Sequence, residues 1–138
     1  MTAMAMWISG GGLALCLGSM ALADYRLDLV GTGLRDYYCT ITVTLTNETN
    51  APVTEINGYF LSFVGGKQVG RSKGSSFLNI APDGTGSTIF ETPNAPCDDV
   101  TRYEFVVNAC RFDSEFAKRT ECTMRIDAVA PLTNAEGL

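Results

Sequence analysis

Between Asp36 and Asn47 the chain reads Asp36-Tyr-Tyr-Cys-Thr-Ile-Thr-Val-Thr-Leu-Thr-Asn47, an alternation without a break. Tyr37, Cys39, Ile41, Val43 and Leu45 fall on one side, and Tyr38, Thr40, Thr42, Thr44 and Thr46 on the other. A period of two among β-branched side chains specifies a half-buried β-strand. No helical period of comparable length follows residue 23, so this chain has to build its core from strands.

The remaining segments fit that demand. Residues 25–30 alternate as a first strand, A, which Gly31-Thr-Gly33 is expected to end. The opening stretch is strand B. Asn47-Glu-Thr-Asn-Ala-Pro52 is a loop, and its Asn47-Glu48-Thr49 matches a glycosylation acceptor that reads as an ordinary turn. Residues 53–64 form strand C, and Gly65-Gly66 is a hairpin signal leading to a short strand over 67–71. Further strands follow over 74–80 and 86–91, joined by the turn Ala81-Pro-Asp-Gly84. Two prolines make 92–97 a loop. Residues 102–108 are strand F, with Tyr103, Phe105 and Val107 on one face. A polar loop over 111–120, with one helical turn around 112–118, leads to strand G over 122–128. About seven short strands with turn chemistry between them imply an all-β fold, an antiparallel immunoglobulin/fibronectin type III-like sandwich, with a small barrel as the alternative.

The segment 7–23 is uncharged and ends Ala21-Leu22-Ala23, a small-x-small cleavage signal before Asp24, although Met1 to Met6 lacks the usual Lys or Arg. The chain therefore divides into a signal peptide (1–23), a β-sandwich domain (24–130) and a flexible tail (131–138), and the product is expected to be secreted or periplasmic. Removing 23 of the 138 residues leaves 115, which keep the net charge of −5. That charge argues against nucleic acid and acidic membrane surfaces as partners.

Cleavage also removes Cys16 and leaves Cys39, Cys97, Cys110 and Cys122, an even number that reads as two disulfides in an oxidising compartment. In the sandwich, Cys39 at the start of strand B and Cys97 before strand F share one end. Cys110 and Cys122, between F and G, share the other. A seven-residue strand spans about 23 Å, and a disulfide needs Cα atoms within about 7 Å. The pairing Cys39–Cys97 with Cys110–Cys122 is the one that does not cross the domain.

Nothing names a reaction. Histidine is absent, and with it the commonest general base and metal ligand. No Cys-x-x-Cys spacing suggests zinc. Gly65-Gly-Lys-Gln-Val-Gly-Arg-Ser-Lys-Gly74 lacks the ending of a phosphate-binding loop and reads as a decorated hairpin. Asp98 and Asp99 read as exposed loop carboxylates. The chain is expected to be no enzyme and to hold no cofactor or metal.

It offers a surface instead. In strand C the odd side, Tyr59, Leu61 and Phe63, is the denser apolar row and is expected to face the core. Phe60, Val64 and Val106 then point outward from the sheet of strands C, F and G, flanked by Arg102, Glu104, Arg125 and Asp127. An apolar centre with a charged rim suits a protein partner. Lys67, Arg71 and Lys73 add a small basic edge, suited to steering an acidic partner or to blocking stray strand pairing. Two functions follow: an exported protein that binds another protein through a sheet face, or an accessory or chaperone-like subunit of an envelope assembly, membrane-anchored if residues 1–23 stay attached.

Residues 42–47, Ala51-Pro-Val53, Tyr59-Phe-Leu-Ser-Phe63 and the 81–84 turn before Ile89-Phe90 resemble the FxLYD family of immunoglobulin-like bacterial domains, with Ser62-Phe63 where that family has Tyr-Asp. Gly70-Arg-Ser-Lys-Gly74 and Phe90-Glu-Thr-Pro-Asn-Ala-Pro-Cys97, with Cys110 and Cys122, resemble small secreted bacterial proteins of the interleukin receptor mimic (IrmA) family. That resemblance implies a fibronectin type III-like fold, a homodimer formed by strand exchange, and binding of a host cytokine. It carries over no binding residue.

Overall fold

The computed structural model describes residues 24–95, 97–113 and 115–135. The signal-peptide expectation, on residues 1–23, lies outside them. Among the described residues, ten strands and one short helix occur in the order β1 (Tyr25–Arg35), β2 (Tyr38–Asn47), β3 (Val53–Val64), β4 (Lys67–Arg71), β5 (Ser75–Ile80), β6 (Thr85–Pro93), β7 (Arg102–Phe112), β8 (Glu115–Ala117), α1 (Arg119–Met124), β9 (Ile126–Ala128) and β10 (Leu132–Asn134). Two sheets form, β6-β2-β1-β9 and β10-β7-β3-β4, with β5 also pairing β3 and β8 pairing β7. The fold is all-β, with the core between the sheets.

β2 keeps its alternation through the whole strand. Cys39, Ile41, Val43 and Leu45 are buried, and Tyr38 and the threonines between them are half-exposed. Tyr37 lies outside the strand and is 82% exposed. β1 does not stop at the glycines. Its ladder with β2 shifts register between Leu29 and Gly31, then continues to Arg35 opposite Tyr38. Glycine tolerates such a bulge, and the backbone ladder outweighs its weak strand preference.

β3 overturns an expectation. Ile56, Gly58, Phe60 and Ser62 face the core, while Tyr59, Leu61 and Phe63 lie half-buried on the outside. Phe60 is 0% exposed. Its ring centroid lies 4.8 Å from that of Phe90 and 4.9 Å from that of Phe105, and Phe77 joins through Phe90 at 6.0 Å. The small residues beside it make room for these rings. A Cβ on Gly58 would stand 2.7 Å from the Phe105 ring, closer than packed carbons approach. Side-chain volume along the strand favours the odd side; the space between the sheets favours the even one.

The opposite strand adjusts by a bulge. In β7, Tyr103, Phe105 and Val107 point inward, the pairing with β3 shifts between Asn57 and Gly58, and Cys110 then takes the inward side. Asn108, exposed, is the extra residue.

The end of the chain also departs from expectation. Cys122 sits in α1 rather than in a strand. Only Ile126–Ala128 remains extended, and it runs parallel to β1 in the first sheet. The place beside β7 is taken by β10, again parallel. The expected flexible tail is therefore ordered as far as the described residues go. Leu132 is 1% exposed, and the Ala135 amide donates to the Phe105 carbonyl at 3.0 Å.

Asn47 closes the B–C corner. Its Nδ2 donates to the carbonyls of Ala51, Ile80 and Ala81, and its Oδ1 accepts from the Thr49 amide and hydroxyl. With no accessible surface, this amide is framework and not a sugar acceptor.

Two outcomes follow from this core. Phe60→Ala is expected to destabilise the fold by about 3–5 kcal/mol, read as a lower urea midpoint, whereas Leu61→Ala on the outer face should move it far less. Burial also pushes the phenols of Tyr25 and Tyr103 above the ordinary tyrosine value of 10.0. A raised folded value means that their contribution to stability is whole below pH 10 and fades as pH rises past it. Urea midpoints taken from about pH 8 to about pH 11 should fall, and Tyr103→Phe should flatten that fall.

Candidate protein-binding face

The residues singled out from the sequence separate into three groups. The four cysteines form two bridges. Cys39 joins Cys97 with Cα atoms 5.2 Å apart, and Cys110 joins Cys122 at 6.2 Å. This is the expected pairing, although Cys122 reaches its partner from a helix. Two disulfides fit an oxidising environment.

A second group belongs to the framework. Phe60 is core, as described. Val106 does lie on the outward side of β7, opposite Tyr59, but is only 3% exposed. A central-strand valine stands lower than the ring across from it, so it is screened. Val64 pairs with Lys67 at the end of the hairpin. Arg125 caps the C-terminus of α1. Its Nε donates to the Asp24 carboxylate at 2.5 Å and its Nη2 to the Tyr25 hydroxyl at 3.1 Å. Its guanidinium covers the Phe112 ring at 4.3 Å. Phe112 and Arg102 end opposite ends of β7, ten positions and about 33 Å apart. Arg125 therefore closes one end of the sandwich and takes no part in a face with Arg102.

The third group makes a face, though not the expected one. On the outer side of the second sheet, β3 presents Tyr59, Leu61 and Phe63. The Arg71 guanidinium carbon lies 4.1 Å from the Tyr59 ring centroid, and that of Arg102 lies 4.0 Å from the Phe63 centroid. Register places Leu61 between Arg71 and Glu104, and Phe63 opposite Arg102. Arg102 Nη1 donates to Glu104 at 2.8 Å and to the Thr133 hydroxyl at 3.3 Å. The apolar row with a charged rim thus exists, built from the side of strand C that the sequence assigned to the core. No local pattern in the sequence reveals it, because it arises only where β3 pairs with the arginine-bearing strands β4 and β7.

The basic edge disperses. Arg71 belongs to this face. Lys73 crosses to the first sheet, 4.6 Å over the Tyr38 ring and 3.6 Å from Glu91. Lys67, opposite Val64, stands exposed at the hairpin end.

A second exposed feature lies on β1. Beyond the bulge, residues 30–35 are exposed on both faces. β9 pairs only Tyr25, Arg26 and Leu27, so the far edge of this arm is unpaired in the sheet. Leu34 is 72% exposed and Val30 64%. An edge whose one charge is the terminal Arg35, and which bears exposed apolar side chains, is poorly protected against strand pairing.

Among the described residues, no group of three or more His, Cys, Asp or Glu side chains is placed to hold a metal ion, and no helix is long and apolar enough to cross a membrane. Compared with protein-family models, curated proteins and solved structures, the chain finds no match.

Proposed function

We propose that this chain is an exported, non-enzymatic β-sandwich that binds another protein through the outer face of its second sheet. The observation that carries the reading is the row Tyr59, Leu61 and Phe63, with Arg71 and Arg102 laid over its rings. Tyrosine and arginine dominate the energetic centres of protein interfaces, and this row sits on a central strand whose backbone is fixed on both sides. The two disulfides support export. The order β6-β2-β1-β9 against β10-β7-β3-β4 supports an immunoglobulin or fibronectin type III-like arrangement, with the parallel β9 and β10 as its departures. The resemblance to interleukin receptor mimics makes a host cytokine the first partner to try.

The test is binding of the purified protein to a panel of immobilised interleukins. Leu61→Asp should weaken the interaction by about 2 kcal/mol, some thirtyfold, with the melting temperature unchanged. Wild-type binding by a folded Leu61→Asp protein would overturn the reading.

The exposed β1 arm favours self-association alongside this. Two copies pairing edge to edge through residues 30–35 would form a symmetric dimer; the same resemblance implies a homodimer too, but one formed by strand exchange. Light scattering on size-exclusion peaks should report a dimer for the wild type and a monomer for Val30→Lys. A monomeric wild type at micromolar concentration removes this part alone.

A further inference from the structure

We propose that the outer face of the second sheet selects an acidic, extended polypeptide segment, with Arg71 as its anchor. This rests on the protein-binding reading of the same face and names the chemistry of the partner. A guanidinium stacked on a ring lies flat, and its N–H groups point outward in the plane, where a carboxylate can take two of them at once. The guanidinium carbons of Arg71 and Arg102 stand over the Tyr59 and Phe63 rings at 4.1 and 4.0 Å, the separation of such a stacked pair. Arg71 has no ion pair among the described residues, while Arg102 meets Glu104 through Nη1.

Spacing narrows the partner. Tyr59 and Phe63 are four residues apart on an extended strand, about 13 Å, with Leu61 midway. An extended segment laid along β3 repeats at the same interval. It matches when carboxylates stand at its first and fifth positions and an apolar side chain at its third.

Charge narrows it further. The chain carries a net −5. Asp24, Asp28, Glu48 and Asp127 lie in or beside the first sheet and its adjoining loop. On the outer face of the second sheet, Glu104 is paired with Arg102, and Glu55 accepts the Ser76 hydroxyl. Three of those first-sheet carboxylates are themselves paired, Asp28 and Glu48 with Arg26 and Asp24 with Arg125, so the guanidinium left open to an acidic segment on the outer face of the second sheet is that of Arg71.

The probe is the capped peptide Glu-Thr-Leu-Thr-Glu, titrated into isotope-labelled protein and followed by NMR at the Arg71 and Arg102 side-chain N–H groups and the Leu61 methyls. Saturable shifts at all three are expected. Affinity should fall about fivefold with Gln in place of both Glu, and fall again as salt rises. Arg71→Glu combined with Arg102→Glu should reverse the preference toward the same peptide carrying Lys at both ends. Equal binding of the Glu and Gln peptides, no shift at these groups, or binding of a heparin fragment there in place of the peptide would each overturn the proposal. If Leu61→Asp abolishes interleukin binding and Arg71→Glu does not, acidic selection fails while the face survives. If neither substitution matters, both readings fall.

Discussion

The packing of Phe60 between Phe90 and Phe105 is the constraint on which the rest of this molecule depends. A ring of that size fits only because Gly58 and Ser62 flank it on the same side of β3. Once Phe60 is inside, the period of two leaves no choice for its neighbours. Tyr59, Leu61 and Phe63 must face out. Three large side chains in water would be a liability, and two arginines from the adjoining strands lie over two of them. The candidate binding face is thus the reverse side of a packing decision made in the core.

This also explains what the sequence made legible. β2 could be read residue by residue, because threonine and aliphatic side chains alternate and only one side is able to be buried. β3 could not, because both of its sides are apolar. Adding up volume points to the odd side, yet the space available is set by Phe90 and Phe105, far away in the chain. A glycine and a serine beside Phe60 look like an exposed, sparse face when they are in fact room reserved for aromatic rings. The disulfide pairing was legible since it required only that the two ends of the sandwich be told apart. The last strand was not, because Cys122 through Ala128 alternates over too few residues to exclude a helical turn. Leu132, in a short tail with no period of its own, gave no sign that it would be buried. The arginine-capped face lay in the pairing of β3 with β4 and β7, which no local pattern contains.

The sheets are joined by more than their shared core. On one side the chain leaves β4, passes Ser72 and Lys73, and bonds the first sheet through the Lys73 amide to the Glu91 carbonyl. Thr88 answers with a hydroxyl bond to Ser76. On the other side, β9 lies against β1 and β10 against β7, so the last described residues belong to both sheets in turn. Asn134 ties this crossing back by donating to the carbonyls of Ile126 and Thr123. Both flanks are therefore held by backbone bonds as well as by apolar contact, and the open edge of β1 beyond the bulge stands out against them.

Asn47 sets a condition on where such a chain can be made. Its amide nitrogen meets three carbonyls in the folded protein, but before folding it is simply the first residue of Asn47-Glu48-Thr49. In a compartment that attaches sugars to nascent chains, the acceptor is met while still open. A glycan placed there would replace one of the two Nδ2 hydrogens that serve those carbonyls and would have no space at the buried corner. The folded corner would then be disfavoured, so the same three residues that secure the loop in one biosynthetic setting work against it in another.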